Sequence, residues 1–181
     1  MERDVVLIAL FAALIAILGL VPQFTLVSGV PISAQSLGIM LCGTVLGARR
    51  GALAVVLFLG LVAVGLPLLA GGRGGLGVFF GPTAGFLVGF PIAAFVTGYI
   101  IEHLGDLDLK WSAMLGAFAG GVIALYIPGI IGMSIVLDKS LIVATGFALP
   151  FIPGDILKVV LAGVLTSTLA KARPSAILWR H

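Results

Sequence analysis

No charged side chain occurs between Asp4 and Arg49, between Arg50 and Arg73, between Arg73 and Glu102, or between Lys110 and Asp138. Charge-free stretches this long, filled with Leu, Ile, Val, Ala and Phe, place the chain in hydrocarbon rather than water. A bilayer core about 30 Å thick takes roughly 20 apolar residues per spanning helix. With 61% hydrophobic and 9% charged residues in 181, the chain has room for about six or seven short-looped spans and no additional domain. The expected fold class is all-α, one polytopic membrane domain over residues 1–181.

Charges and glycine/proline punctuation cut the chain into six expected transmembrane helices, at about 5–21, 35–48, 51–69, 83–101, 111–136 and 150–170. The N-terminal run is too long for a typical signal-peptide core and is followed by no A-x-A site, so it is expected to be an uncleaved first span. If the N-terminus is inside, Arg3, Arg49, Arg50, Lys110, Lys171, Arg173 and Arg180 collect on one side, whereas Arg73 and Lys139 fall on the other. That bias puts both termini in the cytoplasm. Trp111 and Trp179 then lie at cytoplasmic ends, as interfacial tryptophans do. The outer connections, 22–34, 67–82 and 137–149, are too apolar for solvent-facing loops and are expected to fold over the outer mouth of the bundle.

Two charges fall inside a span. Asp155 and Lys158, in "FIPGDILKVVL", sit at i,i+3 on one helix face, where they can neutralise each other. They read either as an ion pair that locks the last helix or as a polar pair facing a ligand cavity. Pro153 and Gly154 suggest a break at the entry to that helix, with free backbone N–H groups beside the pair. Arg73 stands alone among Gly71, Gly72, Gly74, Gly75 and Gly77, and a guanidinium keeps its proton, so it must meet water, an acid or an anionic ligand. A bent loop offering Arg73 and the N–H groups of Gly74 and Gly75 suits a carboxylate. Gln35 and Thr83 open spans two and four and are candidate ligand contacts. Tyr126 either stacks on a ligand or fills core. The small-residue pairs Gly85/Gly89 and Gly116/Gly120 suit close packing inside the bundle, whereas Ala9 and Ala13 on the first span suit docking of another membrane protein.

Absences narrow the function. The chain has no P-loop, no G-x-S-x-G and no H-E-x-x-H, so ATP binding by that loop and the standard hydrolase chemistries have no residues to use. Gly72, Gly74 and Gly77 spell G-x-G-x-x-G without the strand and acidic partner that a dinucleotide needs. The lone Cys42 excludes an internal disulfide. A net charge of +3 comes from residues scattered at the ends of apolar runs, which gives nucleic acid no continuous patch.

The segments "VPISAQSLGIMLCGTVLG", "GLPLLAGGRGGLGVFFGPTAGFLVGF" and "FIPGDILKVVLA" resemble the BioY family, the biotin-specific substrate-capture subunits (S components) of energy-coupling-factor transporters. The likeness runs over nearly the whole chain. It implies a multi-pass protein of the prokaryotic inner membrane that binds biotin at the outer side. It also implies a membrane T component and cytoplasmic ATPase subunits as partners, with biotin as cargo and no cofactor. By this resemblance Asp155 and Lys158 meet the polar ureido ring of biotin, and Ala9 and Ala13 contact the T component. The assignment of Arg73 to the biotin carboxylate comes from the residues themselves. The reverse orientation, with Lys158 on the carboxylate, stays open at this stage. So do another vitamin as substrate, a membrane enzyme using Asp155, a purely structural bundle, and homo-oligomerisation.

Overall fold

The computed structural model describes residues 2–25, 31–104 and 107–180. Residues 26–30 of the first outer connection, 105–106 of the Glu102–Lys110 turn, Met1 and His181 lie outside the described residues.

The charge-free runs are mostly helical, the form in which a lipid-exposed backbone satisfies its own polar groups. Helix α1 spans Glu2–Leu18. Two residue pairs, Phe24–Thr25 (β1) and Pro31–Ile32 (β2), form a short antiparallel ladder. Helix α2 is Gln35–Leu46, its last turn (Cys42–Leu46) widened to π geometry. Helix α3 is Ala48–Ala63, and after a loop with a 3-10 turn at Leu76–Phe80 comes α4, Ala84–His103. Helix α5 is Leu109–Val136, with a π segment at Ala119–Ala124. Two pieces follow, α6 (Leu141–Ala148) and α7 (Ile152–Ala172), joined by the 3-10 turn Leu149–Phe151. Helices α4 and α5 and the joined run Leu141–Ala172 are each long and apolar enough to cross a membrane, and α1, α2 and α3 are shorter.

Expected and observed helix ends mostly agree within a few residues, with three departures. The 137–149 segment is not a loop: "LIVATGFA" forms α6, started by Ser140, whose side chain accepts from Val143 N at 3.4 Å. The break foreseen at Pro153-Gly154 is not an open helix end, because residues 149–151 keep right-handed turns and carry the chain directly into α7. Helix α3 ends at Ala63 rather than Leu69, and Gly65, at φ +107, turns the chain into the loop.

Helix α4 is the centre of the bundle and packs on α3 and on both halves of α5. Backbone-to-backbone approach makes this possible. An added Cβ at Gly85 would lie 2.1 Å from Pro128 O in α5, and one at Gly120 would lie 2.3 Å from Ala93 O in α4. Val5, Leu10, Ile17, Val56, Val88, Ile127, Ile142 and Leu157 are exposed on the outer helix faces, where lipid rather than water is their expected neighbour.

The bundle has two distinct ends. At one, Arg3 bonds Ser175 O, Arg50 pairs with Asp4 at 3.2 Å, Glu102 accepts from Ala48 N at 2.8 Å, and Trp179 Nε1 donates to Thr44 O at 2.9 Å. The C-terminal segment thus folds back beneath α2, burying Ile177 and Leu178, a return that the sequence did not announce. The opposite end gathers the starts of α2, α4 and α7 and the loop after α3, and holds the cavity described next.

Candidate functional site

Asp155 occupies the first turn of α7, and Lys158 follows one turn later on the same face. Lys158 Nζ lies 2.9 Å from Asp155 Oδ1, with side-chain exposures of 14% and 7%. Ser36, in the first turn of α2, completes the unit: its hydroxyl donates to Asp155 Oδ1 at 3.1 Å and accepts from Lys158 Nζ at 2.9 Å. Tyr126 of α5 donates to Asp155 Oδ2 at 2.7 Å. Three helices therefore meet at one carboxylate. Mutual neutralisation, with hydrogen bonds filling most remaining capacity, is the condition under which two charges are tolerated in a membrane interior.

The unused capacity can be counted. A carboxylate has about four acceptor sites and an ammonium three donors. Asp155 Oδ1 accepts from Ser36 and Lys158 and Oδ2 from Tyr126, which leaves one acceptor site on Oδ2. Lys158 donates to Asp155 and Ser36, which leaves one N–H. The cluster can thus take one N–H and give one N–H to a small molecule, with no change in net charge.

This cluster forms one wall of a cavity also lined by Ser33, Gln35, Leu69, Arg73, Thr83, Phe86, Leu87, Phe90, Leu125 and Phe151. Phe86 meets Tyr126 edge-to-face and Phe151 at a tilt, each with centroids 6.1 Å apart. The remaining walls are thus mainly aliphatic and aromatic. Arg73 enters from the loop: its Nε donates to Ala70 O at 3.1 Å and Nη1 lies 3.5 Å from Thr83 Oγ1. It has no carboxylate partner among the described residues, and burial pushes its pKa below the ordinary arginine value. Half-buried and still obliged to hold its proton, this guanidinium favours an anion.

The structure brings together Asp155, Lys158, Arg73, Gln35 and Thr83 around one space. Tyr126 acts through Asp155 rather than stacking against the cavity. Gln35 lines the space, but its amide is engaged by backbone: Nε2 donates to Ile15 O and Leu68 O, and Oε1 accepts from Ala70 N. Gly74 and Gly75 are absent from the cavity wall. Gly74 lines a separate hollow on the outer face of the loop with Gly72, Arg73, Gly77, Val78, Gly81 and Thr83. Ala9 and Ala13 are exposed on α1, as a docking face requires. Ser36, Phe86 and Phe151 were not foreseen. Ser36 stands next to Gln35 in "SAQSLG", and a polar residue at a helix start was its only signal.

Comparison with known proteins gives a consistent result. The BioY family model matches residues 2–175. The biotin transporter BioY of Rhodobacter capsulatus is 55% identical over 189 residues, covering 99% of this chain and all of that protein. The biotin transporter BioY of Rhizobium etli is 52% identical over 90% of each chain. The crystal structure of the S-component for biotin from an ECF-type ABC transporter superposes with a TM-score of 0.89 at 32% identity, covering 94% of this chain and 92% of that one.

Proposed function

The chain belongs to the BioY family, and we propose that its covered cavity captures biotin as the substrate-specific S component of an energy-coupling-factor transporter. It is a transport subunit and not an enzyme. The S-component role implies a membrane T component and ATPase subunits as partners.

One observation carries the assignment of the head group. Asp155 and Lys158 together retain one acceptor and one donor, and the ureido ring of biotin presents an N–H beside a carbonyl. Asp155 Oδ2 receives the N–H, and Lys158 donates to the carbonyl. Phe86, Phe90, Leu87 and Phe151 supply apolar contact for the thioether ring and the aliphatic chain. Arg73 receives the carboxylate, as the cation lining the cavity that lacks an acidic partner among the described residues. The reverse orientation is disfavoured, because Lys158 is already neutralised at 2.9 Å by Asp155.

The distribution of charge supports the orientation. Arg3, Arg50 and Arg180 lie at the end opposite the cavity, where positive residues mark the cytoplasmic side. Both termini then face the cytoplasm of a prokaryotic cell, and the cavity faces outward. Ala9 and Ala13 present a small-residue face on α1 for the T component.

The test is calorimetry on the purified full chain, with biotin and with biotin methylated at both ureido nitrogens. Biotin binds, and the methylated compound loses at least one charge-assisted hydrogen bond, about 1.5–3 kcal/mol. Equal affinity for the two would remove the cluster from head-group recognition.

A further inference from the structure

The amide of Gln35 holds three backbone groups from two other parts of the chain. Nε2 donates to Ile15 O in α1 at 3.2 Å and to Leu68 O at 3.0 Å, and Oε1 accepts from Ala70 N at 2.9 Å. Both amide donors thus have partners, and the side chain is only 2% exposed.

What it holds is a pre-folded lid. Leu69 and Arg73 exchange backbone hydrogen bonds at 3.0 and 3.2 Å, closing a small ring that turns through Gly71 and Gly72 at φ +79 and +67. Arg73 Nε bonds Ala70 O across the ring. The ring delivers Leu69 and Arg73 to the cavity as a unit. Among the described residues, the side-chain hydrogen bonds that join residues 68–73 to the rest of the molecule are those of Gln35 and the longer contact from Arg73 to Thr83 at 3.5 Å. Gly19 leaves room for this junction: an added Cβ there would lie 2.5 Å from Leu68 O and 2.8 Å from Gln35 Nε2. The next residue after Gln35 is Ser36, which holds the Asp155–Lys158 pair. Consecutive side chains at the start of α2 therefore secure the lid and the polar wall.

We propose that Gln35 is a positioning residue that latches the 68–73 lid over the cavity and sets how long substrate is retained. The inference rests on the substrate-binding assignment above, yet the latch itself is measurable without substrate. Lifting the ring breaks the bonds to Leu68 and Ala70 together and leaves a buried amide short of partners, so opening is opposed as one step. The bond to Ile15 makes α1 part of the same latch.

The test uses the full chain in detergent, with Cys42→Ala removing the native thiol and Leu69→Cys placing a thiol on the buried face of the lid. The rate of labelling by a charged thiosulfonate reports lid opening. Losing two hydrogen bonds of about 1 kcal/mol each raises that rate roughly 10–30-fold in Gln35→Ala. Gln35→Glu keeps the acceptor for Ala70 and the side-chain size but loses both donors, and it also labels faster. Gly19→Ala leaves Gln35 itself in place but presses its added Cβ on Leu68 O and the amide, and does the same. Gln35→Ala then both takes up and releases biotin faster, with affinity changed less than either rate, a pattern that general loss of packing would not give. If Gln35→Ala fails to fold, Gln35→Glu and Gly19→Ala decide the matter. Wild-type labelling rates in the variants that fold would overturn the latch. Absence of biotin binding in the wild type would instead overturn the substrate assignment, with the labelling comparison still reporting on the lid.

Discussion

Tyr126 donates its phenolic hydrogen to Asp155 Oδ2 at 2.7 Å, joining α5 to α7 at a carboxylate on the cavity wall. The bond fixes the plane of the carboxylate, so that Oδ1 faces Ser36 and Lys158 while the last acceptor site of Oδ2 stays available.

Tyr126→Phe keeps the edge contact with Phe86 and removes only that bond. A buried hydrogen bond to a charged acceptor contributes about 1.5–3 kcal/mol to the folded state, so the variant melts lower. Biotin affinity falls several-fold as well, because the carboxylate plane is no longer fixed. Calorimetry and thermal unfolding in the same detergent read the two quantities, and an unchanged affinity would make Tyr126 a core residue only.

The Asp155–Lys158 pair separates stability from recognition. Removing one partner of a buried pair leaves the other charge uncompensated and costs about 3–5 kcal/mol, whereas removing both costs far less. Asp155→Asn therefore melts lower than the double variant Asp155→Asn with Lys158→Met. Both bind biotin weakly, because neither presents a carboxylate acceptor beside an ammonium donor. A double variant that binds as the wild type does would assign the pair to the fold alone.

Arg73 is tested by its choice of ligand. Arg73→Ala removes a charge-assisted contact to a carboxylate, so biotin binding weakens by about 1.5–3 kcal/mol. An uncharged biotin amide loses little. Equal losses for acid and amide would mean that Arg73 serves only to hold the lid at Ala70 and Thr83.

Much of this was legible in the sequence, for reasons that differ by residue. Asp155 and Lys158 were conspicuous because a charge in an apolar run needs a physical justification. Ser36 was not, since a serine at a helix start is common and only its juxtaposition with residues more than a hundred positions away gives it a role. Gln35 was noticed as a polar residue at the site, but the direction of its amide depends on the backbone of α1 and of the loop, which no local pattern encodes. Helix α6 escaped because "LIVATGFA", although preceded by Asp138-Lys139-Ser140, is only two turns long and has no charge at its far end to separate a short helix from an apolar loop. The π turns at Cys42–Leu46 and Ala119–Ala124 leave no trace in the apolar pattern, which looks the same at either helical period.

Glycines divide into two kinds, and substitution distinguishes them. At Gly98 an added Cβ would lie 2.2 Å from Ala48 N and 2.3 Å from Gly47 C, both backbone atoms that cannot swing away. Gly98→Ala forces α3 and α4 apart and destabilises by about 1–3 kcal/mol or more, as overpacking does. Gly60 is exposed in α3 with nothing within 4 Å of such a Cβ, so Gly60→Ala stabilises by roughly 0.5–1 kcal/mol through helix propensity. Melting curves of the two variants, measured together, must shift in opposite directions.

The exposed alanines on α1 predict a loss of transport without a loss of binding. Ala9 and Ala13 lie one turn apart and carry no side chain beyond Cβ, which allows a partner helix to approach α1 closely. Leucine at both positions stays apolar, so insertion and folding are unaffected, but the added bulk holds a partner helix away. Ala9→Leu with Ala13→Leu therefore binds biotin as the wild type does in calorimetry. In cells that also express the T component and the ATPases, the variant co-purifies with less T component and takes up less labelled biotin. Normal uptake with normal complex yield would move the docking face elsewhere on the bundle. A loss of binding in the isolated chain would show instead that α1 shapes the cavity directly, a route the bond from Gln35 to Ile15 makes physically available.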